Sequence, residues 1–303
     1  MAKENPDVVY VGSDVGIGTL KEFQDEMPDR YFVEGVAEAY VIGMAAGMAM
    51  SGKMPYVNTI ATFLTRRCYD QIAIDVCMGN HNVRLYANGG GLVYAPLGPT
   101  HLATDDIALM RALPNMTVIV PADADEMERA VLASGQHKGP IYFRVARGGD
   151  PLVPQDEHDF QIGKAIVLQK PKEILFVATG IMVHRAMEVA GQLKSEGIQA
   201  GVINVHTIKP LDTKTLSGYL SSTPNVITLE EHSVIGGLGS AVAQLIAEGD
   251  RHPQGLFKMM GIPDCFPEKY GRQGDLIKYF GLEVNDILET SRKILADQKV
   301  LTT

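Results

Sequence analysis

The chain has 303 residues, 46% of them hydrophobic and 21% charged, and carries a formal net charge of −9 at pH 7. Its length and apolar content suffice for two domains of ordinary size, each with its own core. The acidic balance argues against a nucleic acid or an anionic membrane as partner.

The N-terminal stretch MAKENPDVVY lacks the apolar core of a signal peptide, which predicts a cytoplasmic protein. The first predicted element is a buried parallel strand over residues 8–13, and a loop that begins at Asp14 follows it. A short helix is predicted over 21–27 and is closed by Pro28.

A stripe of small side chains marks the predicted helix within residues 31–53. Its members lie four positions apart and therefore share one helix face: Ala39, Gly43, Gly47 and Ser51. Such a stripe lets another backbone approach closely. The apolar run is about half of the ~20 residues that a membrane span needs, so close helix packing in a soluble protein is the better interpretation.

Glu38 lies at the start of this helix and shares the adjacent face with Ile42, Ala45 and Ala49. One explanation is that acidic residues favour helix N-termini through the macrodipole. The other is a carboxylate held in a dry interface, where its protonation state can be tuned for chemistry.

Strands and helices continue to alternate up to about residue 150. Strands are predicted over 55–59, 82–87, 117–121 and 141–145, and helices over 62–78 and 124–134. This alternation predicts an α/β fold with a doubly wound parallel sheet.

A turn-rich, acidic connector at 149–160 is the predicted domain boundary. It places a first domain at 1–155 and a smaller α/β domain at 165–303. In the second domain, strands are predicted over 174–179, 200–205 and 226–229, with a helix over 184–196 and an apolar helix after Ser240.

Neither the glycines nor the cysteines indicate a nucleotide or metal site. The glycine run at 89–91 and the stretch VIGGLGS match no Walker or GxGxxG pattern. Cys68, Cys77 and Cys265 lack CxxC or metal-site spacing, so reduced, buried thiols are expected and no metal ligands are predicted.

Two long stretches resemble the pyrimidine-binding domain of transketolases, which are thiamine-diphosphate enzymes. They are YFVEGVAEAYVIGMAAGMAMSGKMPYVNTIATFLTRRCYDQI and LGPTHLATDDIALMRALPNMTVIVPADADE. They are similar to the family's G-[IV]-A-E helix, its F-x-x-R-x-x-D-Q helix and its G-P-[ST]-[HQ] loop. The passage EEHSVIGGLG resembles the transketolase C-terminal domain, and the resemblance covers nearly the whole chain.

The resemblance implies a catalytic and cofactor-binding role for Glu38. In that family the matching glutamate hydrogen-bonds N1′ of the aminopyrimidine ring and promotes loss of the proton from thiazolium C2. The passage that carries Glu38 therefore implies thiamine diphosphate as the cofactor.

Further site residues are implied by the same resemblance. Phe63 would stack on the pyrimidine ring, and Asp14 would face the cofactor. Arg66 and Arg67 are candidates for a contact with phosphate or with a subunit interface, and Arg66 is selected for the cofactor site. His101 would act catalytically on the substrate hydroxyls, and Arg147 would bind the substrate phosphate. The alternatives are a helix cap for Asp14, core packing for Phe63, a solvated loop residue for His101, and exposed ion-pair or interface residues for the arginines.

The substrate-binding positions Leu97 and Gly89 depart from the family pattern. Leu97 stands where transketolases have an aspartate that bonds the α-hydroxyl of the donor sugar, and Gly89 where a histidine contacts the substrate. A missing hydrogen bond can change selectivity by orders of magnitude. The departures predict a substrate that differs from the standard sugar phosphates.

The chain lacks the family's G-D-G…N motif, whose side chains bind the Mg²⁺ that anchors the diphosphate; Gly274-Asp275 is followed by Leu276. The resemblance therefore implies the C-terminal subunit of a split transketolase, which needs an N-terminal subunit that carries this motif and holds most of the metal's ligands. The small-residue stripe predicts self-association through residues 39–51, and hence an α₂β₂ assembly.

The expected function is transfer of a two-carbon ketol unit from a ketose, or its phosphate, to an aldose. One alternative is another thiamine enzyme subunit, similar to 1-deoxyxylulose-5-phosphate synthase or to the 2-oxoacid dehydrogenase beta subunit. A silent scaffold is the second alternative, and the retention of Glu38, Phe63 and His101 argues against it.

Overall fold

The computed structural model describes residues 1–13, 18–154, 160–249 and 252–301. Its strands are β1 (Val8–Gly12), β2 (Tyr31–Val33), β3 (Met54–Ile60), β4 (Arg84–Asn88), β5 (Thr117–Ile119), β6 (Ile141–Val145), β7 (Ile166–Gln169), β8 (Ile174–Ala178), β9 (Ala200–Asn204), β10 (Thr207–Lys209), β11 (Asn225–Ser233) and β12 (Phe257–Ile262).

Its α-helices are α1 (Lys21–Glu26), α2 (Glu38–Met50), α3 (Tyr69–Gln71), α4 (Asp106–Ala112), α5 (Ala124–Ser134), α6 (Met182–Ser195), α7 (Thr213–Ser222), α8 (Leu238–Glu248), α9 (Gln273–Tyr279) and α10 (Val284–Leu301). Short 3₁₀ turns lie at Pro28–Arg30 and Ala95–Leu97. Wide, π-type helical turns at Phe63–Arg67 and Ile72–Cys77 flank α3.

Two sheets carry the described part of the chain. The first has seven strands in the order β10-β5-β6-β4-β3-β1-β2, and the second has five in the order β12-β11-β8-β9-β7. All neighbours in the first sheet are parallel except β10, which runs antiparallel to β5. In the second sheet, β7 is the antiparallel edge strand. The predicted α/β fold class with two parallel-sheet units is confirmed.

The strands form where the sequence carries short apolar runs. Both β1 (VVYVG) and β8 (ILFVA) are buried along their whole length, as expected for central strands of a sheet that has helices on both faces. The main core lies between the first sheet and α2 with the helical segment that follows Phe63, and it contains Val11, Ile42 and Leu64.

Strand β10 was not predicted from the sequence, and it connects the two halves. It follows β9 of the second sheet, yet it pairs with β5 of the first, Thr207 lying opposite Ile119. The core of the first sheet consequently continues into the second half through Val177, Ile203 and Val205. The two units therefore pack as neighbours that share apolar contacts.

Among the described residues, no helix is both long enough and apolar enough to cross a membrane. The helix that carries the small-residue stripe ends at Met50 after 13 residues.

Candidate active site

Glu38 is the first residue of α2, and its side chain is only 4% exposed. Its Oε2 accepts a hydrogen bond from Nη1 of Arg67 at 2.7 Å. Within the described part of the chain, that guanidinium is the partner of the Glu38 carboxylate, and Oε1 has none. The carboxylate is thus buried with one oxygen engaged and the other open, which is the arrangement required to bond a nitrogen of a ligand.

Phe63 is linked to Glu38 through Arg67, and His101 in turn contacts Phe63. The Arg67 guanidinium carbon lies 4.7 Å from the centroid of the Phe63 ring, in cation–π geometry. The His101 ring meets the Phe63 ring edge-on, with centroids 5.0 Å apart and an interplanar angle of 68°. The structure therefore brings together Glu38, Phe63 and His101, three residues that the sequence singled out.

Arg66 points to a different partner. Its guanidinium bonds both oxygens of Asp105, at 2.9 Å from Nη2 to Oδ1 and 2.9 Å from Nε to Oδ2, and donates to the Leu102 carbonyl at 3.2 Å. These contacts hold the start of α4 and not Glu38. The phosphate role expected of Arg66 stays a prediction, and Asp14 lies outside the described residues.

The sequence analysis named Arg67 beside Arg66 but selected only Arg66 for the cofactor site, although a signal for Arg67 was present. Counting forward from Phe63, the F-x-x-R pattern selects Arg66. Counting back from Asp70-Gln71, the R-x-x-D-Q pattern selects Arg67. The two counts differ because one additional residue lies between them, in a region where the helix makes wide turns.

The loop from Gly89 to Ala103 carries the remaining substrate positions and is held at its base. Gly91 and Ala103 exchange two backbone hydrogen bonds of 3.1 Å, and the Leu92 N–H donates to the buried Glu231 carboxylate at 3.0 Å. Gly89 has φ +75°, and a Cβ placed on it would lie 2.0 Å from the Tyr94 ring. Tyr94 therefore fills the space that a side chain at Gly89 would need.

Leu97 and Arg147 are both exposed. Leu97 ends a 3₁₀ turn and is 51% exposed, so an apolar surface is present where the family has an aspartate. Arg147 lines a cavity of about 640 Å³, together with Asn58, Asn88 and Tyr94. This places Arg147 and Tyr94 around one space.

A buried polar network lies directly behind the loop. Arg144 bonds both oxygens of Asp106, at 2.8 and 3.1 Å, and also donates to the carbonyls of Ala103 (3.0 Å) and Glu231 (2.9 Å). Tyr142 donates its hydroxyl to Asp106 at 2.6 Å. Although burial opposes ionisation, the Arg144 guanidinium holds the pKa of Asp106 below its ordinary value. The network ties the loop to the second half of the molecule.

Glu230 and His232 are buried residues of β11 with a structural role. The Glu230 carboxylate accepts the backbone N–H groups of Leu238 (2.7 Å) and Gly239 (2.8 Å) at the start of α8. Burial raises the pKa of Glu230 to about 7 and lowers that of His232 to about 4. Both side chains are fully enclosed; Glu230 anchors α8 to β11, whereas His232 accepts the Ala108 N–H of α4 at 3.4 Å.

The described residues include three cysteines and no cluster that could hold a metal ion. Cys68, Cys77 and Cys265 are free thiols. Burial raises the pKa of Cys68 to about 12 and that of Cys77 to about 11, so both stay protonated. The expectation of a buried thiol was wrong for Cys265, which is exposed in a loop after Pro263. No group of three or more His, Cys, Asp or Glu side chains in the described ranges is placed to hold a metal ion.

The donor set at Glu38 fits a flat heteroaromatic ring. The open oxygen of the Glu38 carboxylate can bond a ring nitrogen, and the Phe63 ring, linked to Glu38 through Arg67, is an aromatic group on which a flat ring can stack. The aminopyrimidine of thiamine diphosphate has both features. The diphosphate end finds no metal-binding cluster in the described chain.

Comparisons with known proteins agree with this geometry. The model of the transketolase pyrimidine binding domain matches residues 1–149, and that of the transketolase C-terminal domain matches residues 163–287. The 6-deoxy-6-sulfo-D-fructose transketolase subunit SqwH of Clostridium sp. strain MSTE9 is 35% identical over 97% of this chain and 90% of that protein.

Two further comparisons concern a longer synthase and a solved structure. The 1-deoxy-D-xylulose-5-phosphate synthase of Trichormus variabilis is 37% identical to this chain. The match covers 88% of this chain and 42% of that protein. A solved split gene transketolase, an inactive beta4 tetramer, superposes with a TM-score of 0.87 at 36% identity, over 97% of this chain and 94% of that one.

The fold and the matched domains define a protein made of a pyrimidine-binding unit and a transketolase C-terminal unit. The chain belongs to the transketolase family, and it corresponds to the C-terminal subunit of a split transketolase. Membership of this family implies dependence on thiamine diphosphate.

Proposed function

We propose that this chain is the C-terminal subunit of an enzyme that transfers a two-carbon ketol unit from a ketose to an aldose. The observation that carries the proposal is the buried Glu38 carboxylate, with one open oxygen, beside Phe63 and His101. Thiamine diphosphate, when bound, supplies the nucleophilic carbon of this chemistry.

Four residues of the chain have defined tasks in this proposal. Glu38 bonds the pyrimidine nitrogen through Oε1 and exchanges a proton with it, as a positioned carboxylate in a dry site can do. Phe63 stacks on the pyrimidine ring. His101, whose position is set by its edge contact with Phe63, bonds a substrate hydroxyl. Arg147 binds an anionic group of the substrate; the described residues that line its cavity include Tyr94 but not Glu38, Phe63 or His101, so this task rests on the family resemblance.

The proposal includes a partner subunit that holds Mg²⁺ and the diphosphate. It rests on the lack of a metal-binding cluster in the described residues and of a G-D-G…N motif in the sequence. A split transketolase subunit is by its nature one part of such an enzyme.

Self-association through α2 completes the proposed α₂β₂ assembly. Gly43 and Gly47 are exposed, and a Cβ added to either would meet no atom within 4 Å. Tyr40 and Met50 on the same helix are 60% and 70% exposed. An apolar surface with a flat stripe of glycines supports close packing against a second copy.

The substrate is proposed to differ from the common sugar phosphates. Leu97 offers no hydrogen bond, and Tyr94 fills the space at Gly89. The name of the Clostridium relative shows that a protein of this type acts on a sulfonated deoxysugar. The similarity to a 1-deoxy-D-xylulose-5-phosphate synthase keeps a second candidate, in which a pyruvate-derived two-carbon unit is transferred.

The test is to purify the chain with its N-terminal partner and to assay two reactions side by side. Ketose-dependent transfer to an aldose supports the proposal, and transfer from pyruvate supports the second candidate. The Glu38→Gln variant, assembled in the same way, should lose about 10²–10⁴-fold in rate. Full activity in that variant would contradict the assignment of Glu38, and an inactive wild-type complex in both assays would contradict the function.

A further inference from the structure

Arg67 contacts both residues that define the pyrimidine site. Its Nη1 donates to Oε2 of Glu38 at 2.7 Å, and its guanidinium carbon lies 4.7 Å from the centroid of the Phe63 ring. The Glu38 side chain is 4% exposed, whereas that of Arg67 is 51% exposed. The guanidinium thus reaches from the surface to the edge of the buried site.

Arginine suits this double contact. Its guanidinium is planar, so it can stack on an aromatic face while its N–H groups bond a carboxylate in the same plane. A lysine ammonium in the same place can keep the ion pair, but it has no planar face to stack on Phe63. The contact therefore depends on shape as well as on charge.

We propose that Arg67 is a positioning residue for the Glu38 carboxylate and the Phe63 ring. It engages Oε2 and so leaves Oε1 as the oxygen that faces the ligand. It also fixes the tilt of the Phe63 ring by lying against it. The inference rests on the proposed function, because it acts through Glu38.

Arg129 provides the control. It is the same residue type, and its guanidinium bonds the Asp125 carboxylate at 3.0 Å, one turn earlier on α5. A change of Arg129 to methionine removes the same charge and the same bonding groups, but it leaves the Glu38 contact untouched.

The experiment uses the complex of the chain with its N-terminal partner. Two properties are measured: the affinity for thiamine diphosphate with Mg²⁺, by calorimetric titration, and the exchange rate of the C2 proton of the bound cofactor, by NMR. The variants are Arg67→Met, Arg67→Lys, Arg129→Met and Glu38→Gln, together with the double variant of Glu38→Gln and Arg67→Met.

Arg67→Met should weaken cofactor binding and slow the C2 exchange by about 10- to 100-fold, the usual cost of a mispositioned site group. Arg67→Lys should recover part of both losses, because it keeps the charge. Arg129→Met should stay within about 3-fold of the wild type, as expected for a side chain whose guanidinium bonds Asp125 on the same helix. In the Glu38→Gln background, Arg67→Met should add little to the loss of exchange, because its effect passes through Glu38.

The inference is overturned if Arg67→Met behaves like Arg129→Met while Glu38→Gln loses its exchange. That outcome leaves the proposed function standing. Full additivity of the two changes in the double variant also overturns it. Exchange at the wild-type rate in Glu38→Gln would instead contradict the proposed function. Melting temperatures of all variants establish that each one is folded, and if Arg67→Met is not, Arg67→Lys is compared with Arg129→Lys.

Discussion

The buried pair of Arg144 and Asp106 gives the sharpest prediction about stability. The Arg144 side chain is 6% exposed and that of Asp106 is fully buried. Arg144→Met leaves the Asp106 carboxylate with the Tyr142 hydroxyl as its close partner, and it removes the donor to the Ala103 and Glu231 carbonyls. The change therefore strands a buried charge and removes the Arg144 donor from the Glu231 carbonyl, whereas the Ala103 carbonyl keeps the Gly91 N–H at 3.1 Å.

The contacts that Arg144→Met removes determine the expected loss in the free energy of unfolding. Removing one partner of a buried ion pair costs about 3–5 kcal/mol, and each buried acceptor left without a donor adds about 1–3 kcal/mol where water cannot enter. We expect a loss of at least about 4 kcal/mol, a large part of the ~5–15 kcal/mol that stabilises a typical folded protein. Combining the change with Asp106→Asn should recover part of the loss, because the stranded charge is then gone.

Urea unfolding followed by circular dichroism measures this loss. Arg147→Met is the control, since Arg147 is exposed and belongs to no such network among the described residues; it should change the free energy of unfolding by less than about 0.5 kcal/mol. The reasoning is refuted if Arg144→Met is no less stable than Arg147→Met. It is also refuted if Asp106→Asn makes the Arg144→Met chain still less stable.

Three further predictions follow from individual sites. Gly89→Ala should destabilise the chain by about 1–3 kcal/mol in urea unfolding, because its Cβ would meet the Tyr94 ring at positive φ, and Tyr94→Ala should relieve part of this loss. Burial lowers the pKa of His206 from 6.5 to about 4, so the unfolded chain takes up a proton that the folded chain does not, and stability falls as the pH drops through that range. Unfolding measured at pH 7 and pH 4.5 should show a smaller drop for His206→Gln than for the wild type, the residue's share being at most about 3 kcal/mol; equal drops would contradict this. Gly47→Leu should leave the chain's own stability unchanged or slightly higher but weaken its self-association in sedimentation experiments, and unchanged association would exclude this face.

Much of the architecture could be predicted because buried parallel strands have short apolar sequences that are easy to locate. Val8–Gly12 and Ile174–Ala178 are such runs, and both are central strands. Strand β10 could not be predicted, because three residues carry little pattern and its partner β5 lies far away in sequence. Pairing between distant edge strands depends on how the two units pack.

At the site, the sequence indicated which residues lie there better than it indicated which side chains contact each other. Glu38, Phe63 and His101 were singled out through the resemblance, and they lie together in the structure. Arg66 was chosen ahead of Arg67 because a motif counts residues, whereas the direction of a side chain depends on turn geometry. The role of Tyr94 as the group that fills the space at Gly89 required coordinates, since it follows from a ring position and a positive φ.

The most direct test of the account is a calorimetric titration of thiamine diphosphate, with Mg²⁺ present, into the chain alone and into the chain with its N-terminal partner. We expect no measurable magnesium-dependent binding of thiamine diphosphate to the chain alone, because Glu38 and Phe63 hold only the pyrimidine end of the cofactor. Binding is expected once the partner is added. Tight, magnesium-dependent binding to the isolated chain would contradict the claim that this chain supplies only half of the cofactor site.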